Sequence, residues 1–374
     1  MTDDEPTVLV RARAGLGRIT LNRPRAINAL DVDMLRAIGT ALEEWRSDPS
    51  VDVVLLDGAG DRGFCAGGDV RSLREMVLGG HADATGEFFR VEYSVNDLIA
   101  EYPKPVVAFA DGVTMGGGIG LAGHASIRVV TERSRLAMPE TRIGLTPDVG
   151  GSWLLAHAPG RLGEYLALTG AVMDASDAIY AGLADNLVPS ENLPAFLDAL
   201  ETRADPGTSE LVLLFDETPE PSKLEAARPW IDDAFSADTV AEIVERLRAR
   251  EEADASAAAD TLAELSPTSL AVTLGAIRRA RGLPDLRAAL AQEYGLVLWF
   301  AHTQPDLPEG IRAQLVDKDR APRWQPATNE EVAHDIAASA LAYVPHVPLW
   351  SYASTASGGS GLRSGDGSRG RGEG

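Results

Sequence analysis

Two carboxylates, Glu140 and Asp148, stand in the stretch "MPETRIGLTPDVGG" (Met138–Gly151), each directly after a proline and among mostly glycine and apolar residues. A carboxylate in so apolar a loop can attack a carbonyl carbon, take a proton from a water that attacks instead, or hand a proton over. A pair sharing one low-dielectric space raises at least one pKa through desolvation and repulsion, so one member stays protonated near neutral pH. Structural duties are the competing readings. Glu140 would then pair with Arg142, and Asp148 would cap a helix starting near Gly150.

Two glycine-rich loops accompany the acids: "GFCAGGD" (Gly63–Asp69) and "DGVTMGGGIG" (Asp111–Gly120). Each follows an apolar run that reads as a strand, one ending at Asp57 and the other at Ala110. Glycine turns leading into helices present free N–H groups backed by the helix dipole, which favours an anion or an oxygen that becomes one. Donors from two separate loops make an oxyanion hole, worth ~3–4 kcal/mol each in a transition state. Ligands of parallel α/β sheets gather at the carboxyl ends of strands, so both loops and the acid loop are expected to converge. Cys65 resembles a nucleophile at first sight. No histidine is placed by motif to activate it, and it reads as a small buried residue.

Composition narrows the partners. The 374 residues carry a net charge of −22, which opposes nucleic-acid binding through phosphate contacts. A single cysteine excludes an intrachain disulfide and a cysteine metal cluster, and the six histidines show no HExxH spacing, so no metal site is expected. No apolar run approaches the ~18 residues of a membrane span. The N-terminus "MTDDEPTVLV" is acidic and lacks a basic-then-apolar signal pattern. The expectation is a soluble cytoplasmic protein without a membrane partner.

The elements that must hold these loops read as an α/β chain. Residues 8–13 and 17–21 form two strands around a glycine turn, and Asp31 caps a helix with Leu35, Ile38, Leu42 and Trp45 at helical spacing. "VDVVLLDG", "KPVVAFADG" and "SIRVVTE" are further strands, separated by a helical region around 84–101 and by the "MGGGIGLAG" segment. Strands alternating with helices imply crossovers and mostly parallel pairing. From about 153 the pattern turns helical. Residues 203–222, rich in Pro, Asp, Glu and Thr, read as an irregular connection, and a second helical part covers roughly 230–302. The division is a core over 1–202, a helical region over 203–350, and a Ser/Gly/Arg-rich tail over 351–374 expected to be disordered.

Taken in order, "NRPRAINAL", "FCAGGD", "KPVVAFADGVTMGGG" and "MPETRIGLTPDVGG" resemble the crotonase (enoyl-CoA hydratase/isomerase) superfamily. The resemblance implies a core of stacked ββα turns with a helical C-terminal part, and an acyl-CoA substrate. It makes the amides of Gly68 and Gly117 the oxyanion hole for a thioester carbonyl. The hydratases of that family carry a glutamate where this chain has Gly120, and a glycine where it has Asp148. The 3-hydroxyisobutyryl-CoA hydrolases match better, through "MGGGIG", "PDVGG", "FFRVEY", "GEYLALTG", "SPTSLAVTL" and "EGIRAQLVDKDRAPRW", so that the likeness covers roughly residues 8–326. Leu307, Thr146 and Ser152 depart from that pattern.

The hydrolase resemblance gives Glu140 the role of nucleophile or general base, both of which stay open. Asp148 would position or deprotonate water or accept a bond from a substrate hydroxyl, and Glu92 would lie at the substrate rather than in solvent. The backbone of Ala66, Gly68 and Asp69 would hold the adenine and pantetheine end. Arg23, Arg25 and Lys318 would meet CoA phosphates, against the reading of solvated surface charges. No metal or redox cofactor is implied, since CoA belongs to the substrate. The expected activity is thioester hydrolysis in valine breakdown. The alternatives are an enoyl-CoA hydratase/isomerase or a catalytically silent acyl-CoA binder, and the oligomeric state stays open.

Overall fold

The computed structural model describes residues 5–80, 82–203 and 207–350. The tail read as disordered lies outside these residues.

Among the described residues, eight strands run in the order β1 (Val8–Arg13), β2 (Gly15–Leu21), β3 (Val51–Gly58), β4 (Val106–Ala110), β5 (Val113–Met115), β6 (Ile127–Val130), β7 (Arg135–Ala137) and β8 (Asn186–Leu187). The main sheet has the order β1-β2-β3-β4-β6-β8 and is parallel apart from the β1–β2 hairpin. A small parallel sheet pairs β5 with β7. The helices of the first half are α1 (Val32–Arg46), α2 (Val70–Leu78), α3 (Ala82–Ala100), α4 (Gly117–Ala122), α5 (Gly151–Ala156), α6 (Leu162–Thr169), α7 (Ala175–Tyr180) and α8 (Leu193–Arg203). Then come α9 (Thr208–Val212), α10 (Lys223–Ala234), α11 (Val240–Arg248), α12 (Ala253–Glu264), α13 (Pro267–Ala280), α14 (Leu286–Thr303), α15 (Asp306–Ile311) and α16 (Ile336–Leu341).

The repeating unit is a strand, a shorter extended stretch and a helix. β4, β5 and α4 form one such turn. β3 feeds another, in which Gly63 and Cys65 bridge to Gly112 and Thr114 beside β5 before α2 begins. β6 and β7 form a third, ending in a short 3-10 helix at Glu140–Ile143. Stacking these turns places the extended stretches side by side at the carboxyl ends of the main strands. The glycine loops and the acid loop all start there.

The continuous apolar run of β3 follows from burial on both faces, as expected of a parallel sheet. One face packs Val53, Leu55, Val107, Phe109 and Val129 against Phe196 and Leu200 of α8. The other joins a larger core that runs without a break from Leu35 and Ile38 of α1 and Tyr93 of α3 to Ile277 of α13 and Val297 of α14. Asp31 caps α1, its side chain accepting from the Met34 N–H, as its spacing predicts. The region read as irregular is partly ordered. α9 lies within it, and Glu217 bridges to Leu187 at the sheet edge. Leu211 and Val212 are buried against the sheet there, and this long-range packing overrides the weak local pattern. Among the described residues, no helix is long and apolar enough to cross a membrane.

Candidate active site

Asn28 is the hub that shapes the first glycine loop. Its side-chain amide donates to the carbonyls of Ala59 (3.1 Å), Gly63 (3.2 Å) and Phe64 (3.0 Å), and its carbonyl oxygen accepts from the Arg23 N–H (2.9 Å). Ile27 and Asn28 both sit in the left-handed region, a cost these bonds offset. The loop then bridges in parallel to Leu30 through the Leu30 N–H to Gly67 carbonyl bond (2.8 Å) and the Asp69 N–H to Leu30 carbonyl bond (2.8 Å). In a parallel bridge the central residue's own N–H points away from the partner, so that of Gly68 faces the other side.

That other side is α4. Gly116 turns the chain into it with φ 49° and ψ −119°, a conformation only glycine adopts without strain. A Cβ placed on Gly117 would lie 3.4 Å from the Gly68 nitrogen, so the two residues are neighbours. Among the described residues, neither the Gly68 nor the Gly117 N–H donates to a protein acceptor. Two free amides from separate loops thus meet at one corner.

Two of the acids stand at the same corner. A Cβ on Gly116 would lie 2.9 Å from Glu140 Oε1, and one on Gly117 would lie 2.5 Å from Glu92 Oε1. Both carboxyls are buried, and Glu140 Oε2 and Glu92 Oε1 have no hydrogen-bond partner. The competing reading that pairs Glu140 with Arg142 fails: Arg142 donates to the Thr169 carbonyl instead. Glu92 is 2% exposed, which removes the solvated-acid reading. It lies on the face of α3 turned towards α4.

Asp148 accepts from the Tyr93 hydroxyl at 2.8 Å, one residue along α3 from Glu92. It does not cap α5 with its side chain. That place is taken by Glu293 of α14, which accepts from the N–H groups of Gly150 (2.7 Å) and Ser152 (2.8 Å). Between them, Val149 is held at φ 54°, an outlier for a β-branched residue, and its carbonyl meets His124 Nε2 at 2.8 Å. Desolvation pushes His124 down to about 4, so the ring is neutral near pH 7 and donates from Nε2. The loop carrying Asp148 is clamped from two sides.

Four buried carboxyls in one place cannot all ionise near neutral pH. Desolvation, then the neighbouring Asp148 charge, pushes Glu92 and Glu140 well above the usual carboxylate range. Desolvation lifts Asp148 to about 7, against the Tyr93 hydrogen bond that lowers it. It lifts Glu293 to about 8, against the donors of Ser152 and Gly150. Asp148 is therefore poised to change charge near neutral pH, and the corner stores protons. Cys65 is buried and pushed up to about 12, so it is a neutral thiol as its surroundings suggested.

The other predicted residues divide. The amides of Ala66 and Asp69 are already engaged, donating to the carbonyls of Ile27 (2.9 Å) and Leu30 (2.8 Å). Ala66 itself is exposed at the mouth of the loop. Arg23 is not a free cation: it lies 3.3 Å from Asp31 and 3.5 Å from Asp69 and donates to the Ala29 carbonyl. Arg25 and Lys318 are exposed and without an ion pair among the described residues. The turn Arg312–Val316 just before Lys318 packs on α2 and on the Glu140–Ile143 helix. Sequence reasoning missed Glu293, His124, Asn28 and the Tyr93 hydroxyl. A lone acid in the apolar "LAQEYGLVLWFA" was the one available sign for Glu293.

A sheet of stacked ββα turns with two converging free amides and buried acids beside them defines a class, and the comparisons agree with it. Residues 16–341 match the family model of enoyl-CoA hydratase/isomerase, and the chain belongs to this family. It is 42% identical over 320 residues to the mitochondrial 3-hydroxyisobutyryl-CoA hydrolase of Danio rerio, covering 83% of each chain. The human protein of that name is 37% identical over 342 residues, covering 89% of this chain and 88% of the relative. A carnitinyl-CoA dehydratase from Mycobacterium thermoresistibile has a similar structure, with TM-score 0.88 and 43% identity over 92% of this chain and 99% of the other. An enoyl-CoA hydratase from Rhodobacter sphaeroides 2.4.1 gives 0.85 and 44% over 91% and 98%.

Proposed function

We propose that this protein is an acyl-CoA thioester hydrolase that acts on 3-hydroxyisobutyryl-CoA, releasing free CoA and the hydroxy acid, a step of valine breakdown. One observation carries the reading: the Glu140 carboxyl lies at the corner where the unengaged amides of Gly68 and Gly117 meet. The substrate carbonyl oxygen accepts from both N–H groups, which stabilise the negative charge it gains as the carbon becomes tetrahedral. Glu140 either supplies the attacking oxygen or takes the proton of an attacking water. If water attacks, its oxygen bonds the carbonyl carbon, the C–S bond breaks, and the proton taken by Glu140 passes to the CoA sulfur. If Glu140 attacks, the C–S bond breaks to leave a mixed anhydride and a thiolate. A water then cleaves the anhydride, freeing the acid and Glu140 and giving its proton to the sulfur. Asp148, able to ionise near neutral pH, sets the charge of the acid group around this step. Exposed Arg25 and Lys318 meet the CoA phosphates. The activity for which the Danio rerio and human relatives are named supports the choice of acyl group.

Hydration of an enoyl-CoA is the second reading, favoured by the activities in the names of the two similar solved structures. A position within α4 argues against it. Gly120 offers no acid, and a side chain there would meet Val149 Cβ at 2.7 Å and Asn96 Nδ2 at 2.9 Å. The test is direct. Purified protein is given 3-hydroxyisobutyryl-CoA and, separately, crotonyl-CoA, while free thiol and enoyl absorbance are followed. Thiol release from the first is expected; enoyl loss without thiol release would establish the hydratase, and tight CoA binding without either signal the silent binder. We also propose a cytoplasmic location, while the Danio rerio and human relatives are named mitochondrial. Recovery of the activity in an organelle fraction would overturn it.

A further inference from the structure

Asn96 is 0% exposed, and neither its amide nitrogen nor its carbonyl oxygen has a hydrogen-bond partner. A buried amide left without partners costs ~1–3 kcal/mol, so such a group is retained where something else engages it. Its place is informative. Asn96 lies one turn of α3 beyond Glu92, on the same face. Glu92 Oε1 is set against Gly117, and Asn96 Nδ2 lies 2.9 Å from where a Gly120 Cβ would be. Along α4, Gly117 and Gly120 are separated by ~4.5 Å of helix rise. With the thioester oxygen at the Gly117 amide, Asn96 stands beside the acyl chain a few ångströms past the carbonyl. Val149, next to Asp148, packs on the same spot.

We infer that Asn96 selects for a hydroxyl on the acyl chain, its amide donating to and accepting from the oxygen on C3, two bonds from the thioester carbon. A hydroxyl both donates and accepts, and so does the amide; the match uses both orphaned atoms. An acyl group with hydrogen at C3 leaves both unsatisfied, and a site built this way discriminates strongly against it. A protonated Glu92 or Glu140 also pairs a donor with an acceptor, but both are set at Gly116 and Gly117, beside the carbonyl, whereas Asn96 is set at Gly120, further along α4. This inference rests on the proposed thioesterase activity and adds a residue that sets its acyl preference.

The experiment compares 3-hydroxyisobutyryl-CoA with isobutyryl-CoA, which differ by that one oxygen, as substrates of wild type and of Asn96→Leu. Leucine has nearly the shape of asparagine and no polar atoms. The ratio of kcat/KM, hydroxylated over plain, is expected to fall ~10- to 100-fold in the variant. A change in fold stability or in the shared chemical step moves both substrates together and leaves the ratio alone. An equal loss on both therefore overturns the inference while the hydrolase reading stands. Absence of thiol release by wild type from either substrate overturns both. Asn96→Ala, which adds no atoms, gives the same ratio should the leucine variant fail to fold.

Discussion

Glu293 and the pair Glu92–Glu140 are buried to nearly the same degree, yet their surroundings differ in kind. Each oxygen of Glu293 receives a backbone N–H at the start of α5, so its acceptor capacity is used within the protein. Glu92 and Glu140 each keep an oxygen without any partner at the corner formed by Gly116 and Gly117. Desolvation raises all three, and Glu293, with its two donors, rises only to about 8. Burial alone does not separate a structural acid from one kept for chemistry. What separates them is where the unmet hydrogen-bonding capacity points. Asp148 stands between the two cases, with one donor from Tyr93 and a pKa of about 7.

The comparison breaks most readily at Glu140. Glu140→Gln keeps shape and burial while removing the charge, and turnover is expected to fall at least ~100-fold with acyl-CoA binding retained. A near-normal rate, measured by thiol release, would remove Glu140 from the chemistry. The same variant should unfold at an equal or higher temperature, because a buried, raised carboxyl has been replaced by a neutral amide. Glu293→Ala should do the reverse. It strands the N–H groups of Gly150 and Ser152 at ~1–3 kcal/mol each and lowers the melting temperature, and any loss of activity follows from displacement of Asp148. If Glu293→Ala melted as wild type does, the distinction would fail.

A second group of predictions sharpens the intermediate case. Asp148 moves from 3.8 to about 7 and Glu293 from 4.5 to about 8 on folding, so between these limits the folded chain holds protons the unfolded chain has released. The stability they contribute is complete below about pH 4 and is lost as pH rises through 7 and then 8. Asp148→Asn should therefore stabilise the ligand-free protein at pH 8, by on the order of 4 kcal/mol at most, and flatten the dependence of melting temperature on pH. A variant with an unchanged pH profile would show that Asp148 is not the group titrating. In activity, kcat/KM should rise with pH through about 7 if the ionised form of Asp148 serves the reaction. The smallest effect is expected at the rim. Arg25→Ala and Lys318→Ala should each raise KM a few-fold at low salt, and less at high salt, where solvent ions screen an exposed cation. A loss of kcat there would place them nearer the reaction than their exposure suggests.

Much of this site was legible in the chain itself. Glycine loops after apolar runs, and acids after prolines, are local patterns set by backbone freedom and by the cost of burying charge, and both are written in neighbouring residues. Glu140, Asp148 and the two glycine loops could be named for that reason, while the choice of Gly68 and Gly117 within those loops came from the resemblance to the crotonase superfamily. Glu293 could not, because its partners lie more than a hundred residues away, at Gly150 and Ser152. The ion pair of Arg23 escaped notice for the same reason: its spacing in "NRPRAINAL" does not reveal Asp69 across the loop. The partly ordered stretch 207–222 is a third case, in which burial of Leu211 and Val212 on the sheet outweighs a composition that favours irregular chain.

The sequence by itself determined the longer strands β1 to β4 and β6 but not the short β5, β7 and β8, together with the α1 cap, the loops that expose backbone and the two acids of the opening stretch. These follow from propensity, capping and periodicity, which act over a few residues. Tertiary structure alone decided which amides remain free, since Ala66 and Asp69 are engaged by Ile27 and Leu30 while Gly68 and Gly117 are not. It also decided which acids share one field, because Glu92, the pair Glu140 and Asp148, and Glu293 come from three separate parts of the chain. Hydrogen-bond satisfaction and desolvation depend on what arrives from a distance, and only the packed molecule settles that.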